Sequence, residues 1–196
     1  MVTTEQIKAL RDETGVSVML CRKALEEAKG DFEKAKVILQ RKGADAAAKK
    51  MGRTLGAGTV AAYIHHSGSV GVLVELSSET DFVSGNEEFK TLARDIAMHI
   101  AAAKPGFLKR EDITEETLSR AKEVLLKEVE GKPKAMQEKI LEGKLNSFFA
   151  EKILLEQPFV KNPDQTVRSL IENAIQRFGE KIEISRFTRF SVNDRP

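Results

Sequence analysis

The chain has 196 residues, 41% hydrophobic and 32% charged, which is core material for one or two globular domains and excludes a chain dominated by disorder. A formal charge of +2 gives no clustered basic excess of the kind that marks nucleic-acid binders. One cysteine, Cys21, excludes an intrachain disulfide framework and points to a reducing compartment.

The first helix is announced by Thr3 and Gln6, spaced as in a capping box, with Ile7 and Leu10 on its apolar side and Thr14-Gly15 as its stop. A second helix from about Ser17 puts Val18, Cys21, Leu25 and Ala28 in one stripe. Met19 and Leu20 fall off that stripe, either at the margin of a wide core or on a partner-binding patch. Asp31 caps a third helix with Phe32, Ala35, Ile38 and Leu39 inward, which Gly43 is expected to stop. Residues 1–53 hold 12 Lys or Arg against 8 Asp or Glu and make a small N-terminal unit; residues 54–196 make the larger one. Residues 44–58 read as a frayed helix leading into a linker, with Lys49, Lys50 and Arg53 as its solvated face.

Strands are expected near Thr59–His65 and Ser69–Leu76, forming a hairpin, and at Lys181–Val192. On the last strand Ile182, Ile184, Phe190 and Val192 share a face by parity. Phe187 then falls on the other, covered by a helix, used as a subunit contact, or displaced by a bulge. Helices are predicted from Asn86 to Ala103 and from Thr114 to about Glu130, followed by a turn at Gly131 and Pro133. One or two more carry Met136 to Phe149, with Gly143 as a possible break. The stretch LLEQPFV is expected to be extended, and a final helix runs from about Thr166 to Phe178.

Between the hairpin and the fourth predicted helix lies SSETDFVSG, residues 77–85, where Asp81 and Phe82 sit side by side in a polar connector. A large ring there needs a partner: a wedge for another molecule or a staple into its own core. Enzymatic readings find no support. Gly56, Gly58 and Ala61 match GxGxxA but precede a strand instead of opening a helix, and no GxxxxGK[ST] occurs, so neither a nucleotide nor a cofactor site is expected. His65 and His66 point to opposite faces of a strand, no histidines share helical spacing, and the phase of Cys21 is inward, which leaves neither a metal site nor a nucleophile. The start MVTTEQIKAL has no apolar leader and no run reaches membrane length, so a cytoplasmic location and no membrane partner are expected.

Five blocks in chain order, TGVSVMLCRKALEEAKGDFEKA, YIHHSGSVGVLVELSSETDFV, IAMHIAAAKP, GKPKAMQEKILEGKL and LLEQPFVKNP, resemble bacterial elongation factor Ts. The resemblance implies an α+β fold: a three-helix bundle like a ubiquitin-associated (UBA) domain, then a core with a three-stranded antiparallel sheet, packing helices and a helical hairpin. It implies a non-catalytic guanine nucleotide exchange factor for elongation factor Tu. The exchange element, which disturbs the partner's Mg²⁺ and nucleotide site, falls on Thr80, Asp81, Phe82 and Val83. The bundle's grip on the partner falls on Val18, Met19 and Leu20, where the family's usual Met-Met-Asp run is changed so that Leu20 lacks the aspartate's polar contact. His65 is a further partner contact. The single sheet unit resembles the short form of the family and implies a homodimer, with Phe187 as a candidate dimer contact. The alternatives are a translation-associated RNA-binding module using Lys49, Lys50 and Arg53, and a scaffold for a ubiquitin-like partner resting on the bundle alone.

Overall fold

Three capped helices open the computed structural model, which describes residues 2–129 and 133–194. Helix α1 (Thr4–Thr14) starts at the expected capping box: the Thr3 hydroxyl accepts from the Gln6 amide at 3.2 Å, and the Gln6 side chain accepts from the Thr3 amide at 3.0 Å. Helix α2 (Val18–Glu27) is capped by Ser17 and α3 (Phe32–Lys50) by Asp31. Leu10, Val16, Cys21, Leu25 and Leu39 are buried together between them. Val18 does not join this core as its stripe predicted. It is exposed, and Val16, ahead of the cap, fills the place.

From α3 the chain enters the hairpin of β1 (Ala57–Ile64) and β2 (Val70–Ser78), a single helical turn α4 (Asp81–Ser84), and the long helix α5 (Glu87–Ala103). Helices α6 (Glu115–Lys127) and α7 (Lys134–Ala150) follow, and the predicted turn between them at Gly131 lies outside the described residues. Gly143 does not break α7. The stretch expected to be extended is a 3-10 turn (Leu154–Glu156) leading to a two-stranded ribbon, β3 (Pro158–Phe159) with β4 (Asn162–Thr166). Helix α8 (Val167–Phe178), capped by Thr166, precedes β5 (Ile182–Ser191).

The main sheet is antiparallel in the order β1-β2-β5. One face packs on α5 and α8 through Val72, Val74, Leu76, Phe89, Ile96, Ile175 and Ile184. The hairpin of α6 and α7 has its own cluster around Ala121, Leu145, Phe149 and Ile153. On β5 the register shifts between Glu75, opposite Arg186, and Leu76, opposite Ile184, so Ser185 is bulged out. Of the three explanations for Phe187, the bulge is the one observed. It returns Phe187 to the core face, half-buried, and turns Phe190 and Val192 outward, against the parity that grouped them with Ile182 and Ile184.

Gly43 does not stop α3; it lets α3 lie against α8. A Cβ on Gly43 would meet Gln176 Nε2 at 2.6 Å and Glu172 Cβ at 3.3 Å. The Gln176 amide instead donates to the Leu39 carbonyl at 2.9 Å, tying the two helices. The predicted frayed segment is thus the continuation of α3 as far as Lys50, and one helix belongs to both the bundle and the packing around the sheet.

Candidate functional site

The connector after β2 is held from below and open above. Ser77 and Ser78 are buried at the end of β2, where the Ser77 hydroxyl meets that of Ser185 at 2.6 Å and the Ser78 hydroxyl donates to the Thr80 carbonyl at 2.9 Å. Beyond them Asp81–Ser84 make one helical turn within the polar connector. Its face is divided. Val83 and Ser84 are buried against the main core, whereas the Phe82 side chain is 85% exposed. The staple alternative therefore fails in the free chain: Val83 is the anchor, and Phe82 stands in solvent. Burying a phenylalanine is worth ~1.5–3 kcal/mol, so its exposure forgoes a large stabilisation. Asp81 is exposed beside it, and no hydrogen bond or ion pair engages its carboxylate among the described residues.

Thr80 occupies the N-cap position with extended backbone (φ −127°, ψ 159°), yet its hydroxyl does not cap the turn. It donates to Glu180 Oε1 at 2.6 Å, and the Thr80 amide donates to Glu180 Oε2 at 3.1 Å. Glu79 accepts the Lys181 amide at 2.5 Å and Arg53 Nη1 at 3.1 Å and 3.2 Å. These contacts, led by the Lys181 amide, hold the Glu79 carboxyl below the usual carboxylate range. Arg53, expected on a solvated face, is tied to the connector.

On the bundle, Met19 is 60% exposed, Val18 is exposed with it, and Leu20 is half-buried against the bundle core. For Leu20 the core margin is thus the observed setting, while Val18 and Met19 form an outward apolar pair on the first turn of α2. Cys21, one residue on, is buried; burial raises its thiol pKa, and its Sγ lies 3.5 Å from the Val16 carbonyl oxygen. His65 is half-buried just past β1, its Nδ1 3.3 Å from the Tyr63 hydroxyl. The prediction that His65 and His66 diverge is corrected: both lie beyond the last strand residue, and their rings meet edge to face at 4.2 Å. Among the described residues no group of three or more His, Cys, Asp or Glu side chains could hold a metal ion, and no helix is long and apolar enough to cross a membrane.

Sequence reasoning missed Glu180 and the role of Glu79. Their contacts join positions about a hundred residues apart, and local patterns carry no trace of that. The outward face of the main sheet was also missed, since the bulge at Ser185 moves Phe190 and Val192 onto it beside Val60, Ile64 and Leu73.

The family model for elongation factor Ts matches residues 33–194, which include the sheet, α4 and the hairpin of α6 and α7. The chain belongs to the elongation factor Ts family. Elongation factor Ts of Carboxydothermus hydrogenoformans is 52% identical over 99% of this chain and 90% of its own length. That of Acetivibrio thermocellus is 51% identical over 97% and 89%. That of Thermosipho melanesiensis is 46% identical over 99% of this chain and 100% of its own. Membership in elongation factor Ts makes the chain a translation elongation factor.

Proposed function

We propose that the chain is the guanine nucleotide exchange factor for elongation factor Tu and acts by contact, without chemistry of its own. The observation that carries this reading is the exposure of Phe82 on a turn whose neighbours Val83 and Ser84 are buried. A ring so mounted delivers force to a partner without folding back. Mg²⁺ requires near-octahedral ligands at about 2.0–2.1 Å, so a ring wedged beside its site weakens its hold on GDP by shifting ligands a fraction of an ångström. In this reading Phe82 is the wedge, Asp81 hydrogen-bonds the displaced segment, and Thr80 and Val83 fix the turn.

The bundle of residues 1–53, read as UBA-like, supplies grip through Val18 and Met19, with Leu20 beneath them. Residues 54–196 carry the exchange element, and His65 adds a contact near the hairpin end. The coupling is reciprocal, so GDP lowers the partner's affinity for this chain by the same factor that the chain lowers its affinity for GDP. A factor of about 10⁴ requires ~5.5 kcal/mol of differential contact, which the two surfaces supply together.

We further read the chain as a homodimer through the open face of the sheet, where Val60, Ile64, Leu73, Phe190 and Val192 are all exposed. Phe187 enters this reading as the packing beneath the strand that carries Phe190. The decisive measurement is release of a fluorescent GDP from purified elongation factor Tu, with and without the chain. Acceleration by the wild type and a slow saturating rate with Phe82→Ala at retained binding are expected. No acceleration by the wild type refutes the function, and wild-type rates in Phe82→Ala refute the wedge.

A further inference from the structure

Two consecutive pairs of residues, Glu79-Thr80 and Glu180-Lys181, exchange the same contact in both directions. The side chain of Glu79 takes the backbone amide of Lys181 at 2.5 Å, and the side chain of Glu180 takes the backbone amide of Thr80 at 3.1 Å. Glu180 also binds the Thr80 hydroxyl at 2.6 Å, and Glu79 is tied to Arg53, whose carbonyl accepts from Lys181 Nζ at 3.3 Å. Gly179, at φ +74°, ends α8 and makes the turn that brings Glu180 to the connector.

The exchange element needs something of this kind. A helical turn of four residues has no stability of its own, because helix nucleation is unfavourable and α4 is all nucleus. Its one intrinsic cap has been given away, since the Thr80 hydroxyl serves Glu180 instead of an α4 amide. The turn is held instead from outside: Val83 and Ser84 are buried and fix its depth, the Ser78 hydroxyl binds the Thr80 carbonyl from β2, and the carboxylate clasp takes the Thr80 amide and hydroxyl on the other side, which limits rotation about the buried pair. Rotation decides where the Phe82 ring points.

We infer that Glu79 and Glu180 are positioning residues for Phe82: their reciprocal clasp holds the exchange element in its presented orientation, and Arg53 joins the clasp to the end of α3. This rests on the reading of Phe82 as the exchange element. It goes beyond that reading in assigning the orientation to carboxylates on either side of a long sequence gap.

The full-length chain tests this in two measurements. Amide hydrogen exchange in the free protein follows Ser84 and Gly85, which donate to the Thr80 and Asp81 carbonyls. Glu180→Ala is expected to speed both by about tenfold, the scale of a lost charge-assisted hydrogen bond, while amides of β2 and α5 keep their rates. Unchanged exchange at Ser84 and Gly85 overturns the clasp without reference to any partner. GDP release from elongation factor Tu then gives the functional split: in Glu180→Ala the saturating rate falls about tenfold while the half-saturating concentration moves less than about twofold. Glu180→Gln, which keeps one acceptor oxygen, restores most of the rate. A shift in half-saturation alone, or a further loss when Glu180→Ala is added to Phe82→Ala, shows that Glu180 acts other than through Phe82 and overturns the inference. Wild-type release by Phe82→Ala alone sinks the exchange-element reading instead, so the two failures are distinguishable.

Discussion

His99 sits at a buried position of α5 where helical periodicity asks for an aliphatic side chain, and the fold holds it neutral. Nδ1 accepts the Val160 amide at 3.2 Å, so Nε2 carries the proton and donates to Gln157 Oε1 at 3.0 Å; Gln157 in turn donates to the Glu151 carbonyl at 2.6 Å. Burial lowers the His99 pKa below its ordinary 6.5, opposed by the Gln157 contact. The unfolded chain therefore takes up the proton first. The contribution is complete above pH 6.5 and is lost as pH falls toward the depressed folded value. The wild-type melting temperature is expected to drop on the acid side of that point. His99→Leu should melt lower at pH 7, having orphaned the Val160 amide at ~1–3 kcal/mol, but show a flatter profile. A wild-type profile that stays flat as pH falls below 6.5 counts against the neutral, saturated imidazole. Residues such as His99 were not legible beforehand. Phe89, Ile96 and Ile100 on the same helix follow the apolar stripe and are buried as it asks, whereas a histidine's partner on a distant turn leaves no periodic signature.

At the scale of elements, helices were read well wherever a cap and a stripe agree: Thr3, Ser17, Asp31, Asn86, Thr114 and Thr166 each mark an observed start. The misreadings came from glycine and from register. Gly43 resembles a helix stop locally, yet its function is close approach to α8. Gly43→Val would press its methyl groups on Glu172 and displace the Gln176 amide from Leu39. A loss of about 2 kcal/mol in urea unfolding is expected, typical of overpacking, and an unchanged unfolding free energy argues that the helices do not meet there. On β5, strict alternation failed because one bulged residue, Ser185, inverts every assignment after it. The segment of residues 77–85 was legible as a mounted Asp-Phe pair. Its helical form was not, because four residues carry no period, and neither were the contacts of Glu180 with Thr80 and of Glu79 with Lys181.

For the whole molecule, the outward sheet face departs from a self-contained fold. Phe190 is 71% exposed on it, and Val60 and Ile64 are 66% exposed. Exposed apolar patches of this kind are characteristic of interaction surfaces. Phe190→Asp places a charge on the edge strand of that face, beside Val192, and is expected to convert a dimer into a monomer in sedimentation, with little change in the stability of each copy. A wild-type chain that sediments as a monomer at micromolar concentration removes the dimer from the reading.

Helix α3, at 19 residues about 28 Å long, is shared by both halves of the molecule: Ala35 and Leu39 seat its first part in the bundle, Ala46 and Ala47 seat its last part against the sheet core, and Gln176 ties it to α8 between them. On the proposed reading, a partner that touches both Met19 and Phe82 therefore meets two surfaces joined by one continuous helix in place of a flexible linker, so their spacing is built into the fold and is not chosen at the moment of binding.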